Sequence, residues 1–305
     1  MKIQMILPKW SMTMPWASSF PKVFAGDEIM LLPEPKLDLK PDAIMFMWCN
    51  KDTVQWINAS NDTIPKIVFM RRYEFFGAEW GQVAWGKVAH LVFVNDVFKM
   101  EFDSVFEKPL VQSSVIYNPV DFNKFTFKKH AHGKKIAIVG NINERKNMPM
   151  ALQIMAKLPQ DYELHIIGAV QSPDTFMYTV YTASNLQRKV QVYGALDPAT
   201  MNKVLDEMDY LLCTSISEGN PNSVNEGMAK GLKPLVHMWP GSVQQYPKEC
   251  LFVTVDEAVK LIQAESEYDS EKYKNWAEER FSFKNIEKIR NIVISEVEKC
   301  AAIKQ

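Results

Sequence analysis

From residue 134 onward, short apolar runs alternate with longer amphipathic stretches, and this alternation leaves few folds open. The runs are KKIAIVG (134–140), YELHIIG (162–168), VQVYG (190–194), DYLLCTS (209–215), KPLVH (233–237) and CLFV (250–253). Each has the length of a strand buried on both faces. Helix-spaced patterns separate them at 148–158, 174–186, 199–208 and 223–232, and further helical stretches follow near 270–279 and 285–302. Parallel strands need a crossover long enough to hold a helix, so this pattern predicts an α/β fold with helices on both faces of a parallel sheet.

The first half repeats the pattern less regularly. DAIMFMW (42–48), PKIVFM (65–70), HLVFV (90–94) and SVIY (114–117) read as strands, and MKIQMIL opens the same sheet. A chain of 305 residues has room for two domains. The expected division is a smaller domain over 1–127, a second over 128–282 that begins at a linker in KKHAHGKK (128–135), and a last helix over 283–305 that packs back on the first. Trp10, Trp16, Trp48, Trp56, Trp80 and Trp85 all fall in the first 85 residues. They read as core, or as a stacking surface for a sugar or base.

Charge and cysteine usage narrow the class. A net charge of −1 supplies no global field for nucleic acid or an anionic membrane. The four cysteines are scattered and form no CxxC pair, which argues against a zinc or disulfide framework and fits a reducing compartment. MKIQMILPKW has an apolar run cut by Pro8, so it reads as a strand rather than a signal peptide. No run approaches the roughly 18 residues of a membrane span. The expected location is cytoplasmic, or host cytoplasm for a phage-encoded chain.

The segment SEGNPNSVNEGMAKGLKPLVH (217–237) carries the chemistry. Glu218 follows the strand DYLLCTS, and ligands of open α/β sheets bind at the carboxyl ends of strands. Pro221 stops the strand, and Asn222 or Ser223 is placed to cap the next helix. The free N–H groups and positive dipole end of that helix suit a phosphate. Glu226, about one turn in, suits the two vicinal hydroxyls of a ribose and repels phosphate. The loop GNINERKN (140–147) ends another strand and adds Arg145 and Lys146, the positive charge that a diphosphate needs. Without GxGxxG or GxxxxGK[ST], neither a dinucleotide cofactor nor a P-loop is expected. There is no DxD for a metal held against a diphosphate, so no metal and no cofactor is expected. A glycosidase acid–base pair at the two glutamates leaves Arg145 and Lys146 unexplained.

These residues resemble glycosyltransferase family 4, the retaining enzymes of the GT-B architecture with two Rossmann-like domains facing across a cleft. The family's two glutamates fall on Glu218 and Glu226, and its phosphate-loop lysine on Lys146. Its usual arginine after the loop glycine, Gly140, falls on Asn141, so Arg145 is the candidate substitute. VIYNPVDFNKF (115–125) resembles the family's hinge segment, and IVFMRRYEFF (67–76) a first-domain segment, with Arg71 where histidine is frequent. The resemblance implies that Glu218, Lys146 and Arg145 act in catalysis. It implies donor contacts at Glu226, Gly140, Asn141, Gly219, Asn220, Asn222, Ser223 and Val224, and acceptor-side roles for Arg71, Arg72, Glu74 and Trp16. The co-substrate it implies is a nucleoside-diphosphate sugar, with uridine by family habit, and the acceptor a glycan or lipid-linked sugar. The first domain is shorter than usual in the family, and SMTMPWASS stands where a glycine-rich loop is expected.

Three other readings remain open at the level of sequence. One is a phage-type enzyme that glycosylates a hydroxymethylated base in DNA, against which stands the near-neutral balance of residues 1–127. Another is a non-catalytic nucleotide-sugar-binding module. The last is an epimerase of similar architecture.

Overall fold

A computed structural model describes residues 1–12, 20–106 and 110–303. The chain forms two compact units: residues 1–121 with 282–305, and residues 122–281. Each is built on a six-stranded, wholly parallel sheet with helices.

In the first unit the strands are β1 (Lys2–Ile6), β2 (Glu28–Leu32), β3 (Ala43–Phe46), β4 (Lys66–Met70), β5 (His90–Phe93) and β6 (Gln112–Val115), in the order β2-β1-β3-β4-β5-β6. Side chains alternate across the sheet with the period of two that strand geometry imposes. Ile3, Met5, Ala43, Met45, Ile67 and Phe69 face one core, while Ile44, Phe46, Val68, Met70, Leu91 and Phe93 face the other. The helices α1 (Lys51–Ala59) and α3 (Asp96–Ser104) cover the second face through Val54, Ile57, Phe98 and Phe102; between them comes α2 (Arg72–Phe75). The last helix of the chain covers the first face. Its Ile286, Ile289 and Val293, spaced one helical stripe apart, are buried against the strands.

The second unit contains β7 (Lys135–Val139), β8 (Glu163–Ile167), β9 (Lys189–Gly194), β10 (Tyr210–Cys213), β11 (Lys233–His237) and β12 (Leu251–Phe252), ordered β12-β11-β10-β7-β8-β9. This is the Rossmann order, and its direction of winding reverses between β7 and β10. Helices α4 (Met148–Lys157), α5 (Pro173–Asn185), α6 (Pro198–Leu205), α7 (Asn222–Ala229), α8 (Ser242–Gln245), α9 (Val255–Gln263) and α10 (Ser270–Phe281) follow, and α11 (Phe283–Ile303) is the helix that covers the first unit. Together the two units are the two Rossmann-like domains of the GT-B fold.

Several elements differ from the sequence reading. β2, α1, α3 and α9 are present without having been expected. The strand β2 reads EIMLL, an apolar run that the acidic and proline-rich flanks disguise. The segment 128–135 is no loose linker. Lys128 N–H donates to Lys230 O at 3.1 Å, His130 N–H to Ser270 Oγ at 3.0 Å, and His132 Nε2 lies 3.1 Å from Ile262 O, all within the second unit.

Candidate active site

The loops after β7 and β10 meet where the winding reverses, and a backbone and a side-chain hydrogen bond join them. Ile216 N–H donates to Arg145 O at 3.0 Å, and Thr214 Oγ1 donates to Lys146 O at 2.7 Å. Residues 144–146 form a single 3-10 turn, started by Asn143, whose Oδ1 accepts from Lys146 N–H at 3.3 Å. That turn sends the Lys146 side chain back across the end of β7. The path exists because residue 140 is glycine. Its φ is +140°, and a Cβ there would stand 2.6 Å from Lys146 Cε.

Lys146 is buried, and its Nζ donates to Glu218 Oε1 at 2.9 Å. The same oxygen is ion-paired with the Arg145 guanidinium and accepts from Ser215 Oγ at 2.8 Å. Arg145 Nη1 also donates to Ser217 O at 3.2 Å. Burial alone would push the Glu218 carboxyl up, but Lys146, Arg145 and the hydrogen bonds outweigh it and hold it below the usual carboxylate range. Glu218 is therefore an anion that keeps two cations fixed at the strand ends.

The helix after this turn differs from expectation in one respect. Pro221 is its N-cap, and no side chain caps it, so neither Asn222 nor Ser223 does what their types suggested. Both are helical residues already. Val224 and Asn225 N–H both donate to Pro221 O, while the N–H groups of Asn222 and Ser223 have no backbone acceptor among the described residues. Asn222 Oδ1 is buried without a hydrogen-bond partner, and Ser223 lines the same narrow gap as Lys146 and Ser215. An uncapped helix start thus opens beside the lysine. The Val224 side chain is core. Asn141 is exposed at the head of the first loop.

Glu226 stands apart electrostatically. It is half-buried, and its carboxyl has no hydrogen bond or ion pair to any described residue. Burial pushes it up to about 8.

Gly219 and Asn220 are held from behind by a network the sequence did not disclose. Gln245 Nε2 donates to Gly219 O at 2.8 Å, and its Oε1 accepts from Asn220 Nδ2 at 2.7 Å. Asn225 Nδ2 donates to Asn220 Oδ1 at 2.9 Å, and Tyr246 OH donates to Asn225 Oδ1 at 2.9 Å. Asn225, Gln245 and Tyr246 are buried. Ser215 and Thr214 had a visible signal, being polar residues that close an apolar run; Gln245 had none.

The first unit holds the other candidates. Arg71 Nη1 donates to Asn118 Oδ1 at 2.7 Å and Nε to Met47 O at 3.2 Å, and its guanidinium lies 5.0 Å from the centre of the Trp48 ring. Burial pulls it down to about 10. Glu74 is buried and accepts from Arg71 N–H at 3.2 Å; burial raises its carboxyl. Arg72 lies against Phe76, 5.1 Å from the ring centre. Arg71 and Glu74 thus brace three chain segments. Trp16, and with it most of SMTMPWASS, lies outside the described residues.

The fold defines a class, the proteins with the two Rossmann-like domains of the GT-B architecture. Residues 133–264 match the family model described as glycosyl transferases group 1, so the chain carries a group 1 glycosyltransferase domain and is a glycosyltransferase. Among solved structures it is similar to HepE of Anabaena in complex with UDP, at 14% identity and TM-score 0.79 over 97% of this chain and 100% of that one. It is similar to the lipopolysaccharide outer core galactosyltransferase WaaB, at 16% identity and TM-score 0.74 over 97% and 100%. The sucrose-phosphate synthase of Thermosynechococcus elongatus gives 11% identity and TM-score 0.74 over 99% and 98%. Likeness at these identities shows the fold. No curated protein sequence matches the chain.

Proposed function

We propose that the chain is a family 4, retaining, metal-independent glycosyltransferase. It moves a sugar from a nucleoside-diphosphate sugar, a UDP-sugar by preference, to a hydroxyl of a glycan or lipid-linked sugar. The observation that carries this reading is the Arg145–Lys146–Glu218 cluster at the strand switch point, beside an uncapped helix start and an unpaired Glu226. HepE, similar in fold, has been crystallised with UDP, with UDP and glucose, and with UDP-glucose.

The donor diphosphate sits on the amides of Asn222 and Ser223 and takes Lys146 and Arg145 as its cations. Glu226 accepts from the ribose hydroxyls. Glu218 keeps the cations aimed and meets hydroxyls of the donor sugar. In the reaction the bond between the sugar's anomeric carbon and the diphosphate oxygen breaks, and its electron pair stays on that oxygen. The acceptor hydroxyl attacks from the same face and gives its proton to the departing phosphate, so the configuration is kept. Lys146 and the helix start stabilise the charge that grows on the diphosphate, and no metal is required.

Proton NMR of the turnover of α-configured UDP-sugars in EDTA tests this. The product is expected to form at an undiminished rate with the α configuration. A β product ends the retaining assignment, and loss of activity in EDTA ends metal independence.

A further inference from the structure

A second ligand-sized feature lies wholly in the first unit. A pocket of about 440 Å³ opens at the carboxyl ends of β1, β2 and β3. With the strand order β2-β1-β3-β4-β5-β6, winding reverses between β1 and β3, and this is where doubly wound sheets take their ligands. Size and position both suit a small molecule.

The lining is specific. Trp48 and Trp56 supply indole walls, and Ile6 and Phe46 an apolar floor. Asn50, Asp52, Gln55 and Glu34 supply the polar groups. Asp52, Gln55 and Glu34 are exposed, and the two carboxylates make no ion pair with any described residue. Lys66 lies 5.8 Å from the Trp56 ring centre and Arg71 5.0 Å from that of Trp48, yet neither lines the pocket, and no other lysine or arginine among the described residues does.

The walls are also fixed in advance. Thr53 Oγ1 donates to Trp48 O at 2.8 Å, and Asn50 Oδ1 accepts from Thr53 N–H at 3.0 Å, which ties Trp48 to the start of α1. The Trp56 ring packs 5.4 Å from Phe46. A pyranose has an apolar C–H face and a rim of hydroxyl donors. The indoles match the face, and the carboxylates and amides match the rim. Two carboxylates without a lining cation repel a uronate, a phosphate or a nucleic-acid backbone.

We infer that this pocket, walled by Trp48 and Trp56 and rimmed by Asp52 and Glu34, receives an uncharged pyranose ring of the acceptor. The inference rests on the glycosyltransferase reading and adds the acceptor's chemical class to it.

Tryptophan fluorescence and saturation-transfer NMR with methyl hexopyranosides (gluco, galacto and manno) test it. Methyl glucuronide and a single-stranded oligonucleotide containing hydroxymethylcytosine serve as anionic counterparts. At least one neutral glycoside is expected to bind saturably, and more tightly than either anion. Asp52→Asn with Glu34→Gln, both at exposed positions, is expected to weaken that glycoside about tenfold and to narrow the gap to the glucuronide. Trp56→Tyr is expected to lower the NMR transfer while leaving the melting temperature near wild type.

The inference falls if no neutral glycoside saturates the wild-type chain. It also falls if an anion binds as well or better, or if the folded variants bind unchanged. UDP binding by the wild-type chain, followed by calorimetry, reports on the donor reading separately. Glycoside binding without UDP binding sinks that reading and leaves the pocket; the reverse result sinks the pocket alone.

Discussion

Two carboxylates in one segment, Glu218 and Glu226, end up on opposite sides of the ordinary range, and each shift has a separate local cause. Glu218 sits against Lys146 and Arg145, so it stays ionised despite burial. Lys146→Ala removes a buried cation from the proposed diphosphate site and is expected to raise the transfer barrier by about 2–4 kcal/mol, read as kcat/KM for UDP release. Full activity in a folded variant would end the role given to this lysine. Glu226 has only burial acting on it, which raises it from 4.5 to about 8. The folded chain then keeps a proton that the unfolded chain has lost. The resulting stability is complete below the unfolded value and is lost as pH rises through the folded one. Glu226→Gln is expected to flatten that decline, by about 1–3 kcal/mol in urea melts between acid and mildly basic pH. A ribose diol that donates to the ionised form pulls the proton off. UDP should therefore bind more tightly as pH rises from about 6 to 8, by at most about tenfold per unit, and Glu226→Gln should remove that dependence in calorimetry.

At the scale of elements, the loop 217–222 gets its shape from a support that lies outside it. Gln245, on the four-residue helix α8, holds Gly219 and Asn220 together, and Asn225 with Tyr246 holds Asn220 from the other side. Gln245→Ala removes its hydrogen bonds to Gly219 O and Asn220 Nδ2 and is expected to cost about 0.5–1.5 kcal/mol per lost bond in denaturant unfolding. The loop should also loosen, with a higher KM for the donor. An unchanged midpoint and KM would show that the loop holds its own shape. The strands β7, β8, β10 and β11 were legible because their central residues are buried on both faces and, His165 of β8 apart, apolar. The cluster of Arg145, Lys146 and Glu218 was legible because strand ends in a parallel sheet converge whatever lies between them. Gln245 was not, since a long-range hydrogen bond leaves no period or spacing in a sequence. Nor was the helix cap: Asn222 and Ser223 have good capping side chains, yet the chain turns one residue earlier, at Pro221.

For the molecule as a whole, the first unit is closed by a helix that follows the second in sequence. Ile286, Ile289 and Val293 on α11 cover one face of a sheet whose strands all end before residue 116. Ile289→Ala is expected to destabilise that unit by about 2–5 kcal/mol, read as an earlier unfolding transition in urea. A single unshifted transition would mean that the helix adds little. The amphipathic stripe near the end of the chain was readable, but its destination was only an expectation, because a stripe states which face is buried and not what buries it.

That return of the chain has a consequence during synthesis. The first sheet leaves the ribosome with much of one apolar face bare: Phe24 already packs there, but Ile286, Ile289 and Val293 are not yet made. Residues 122–281 form a unit without interruption and need no later segment for closure. Translating them takes roughly 10–30 s at ordinary elongation rates. The half made first is thus the half completed last, and through that interval it is the natural client of a holding chaperone.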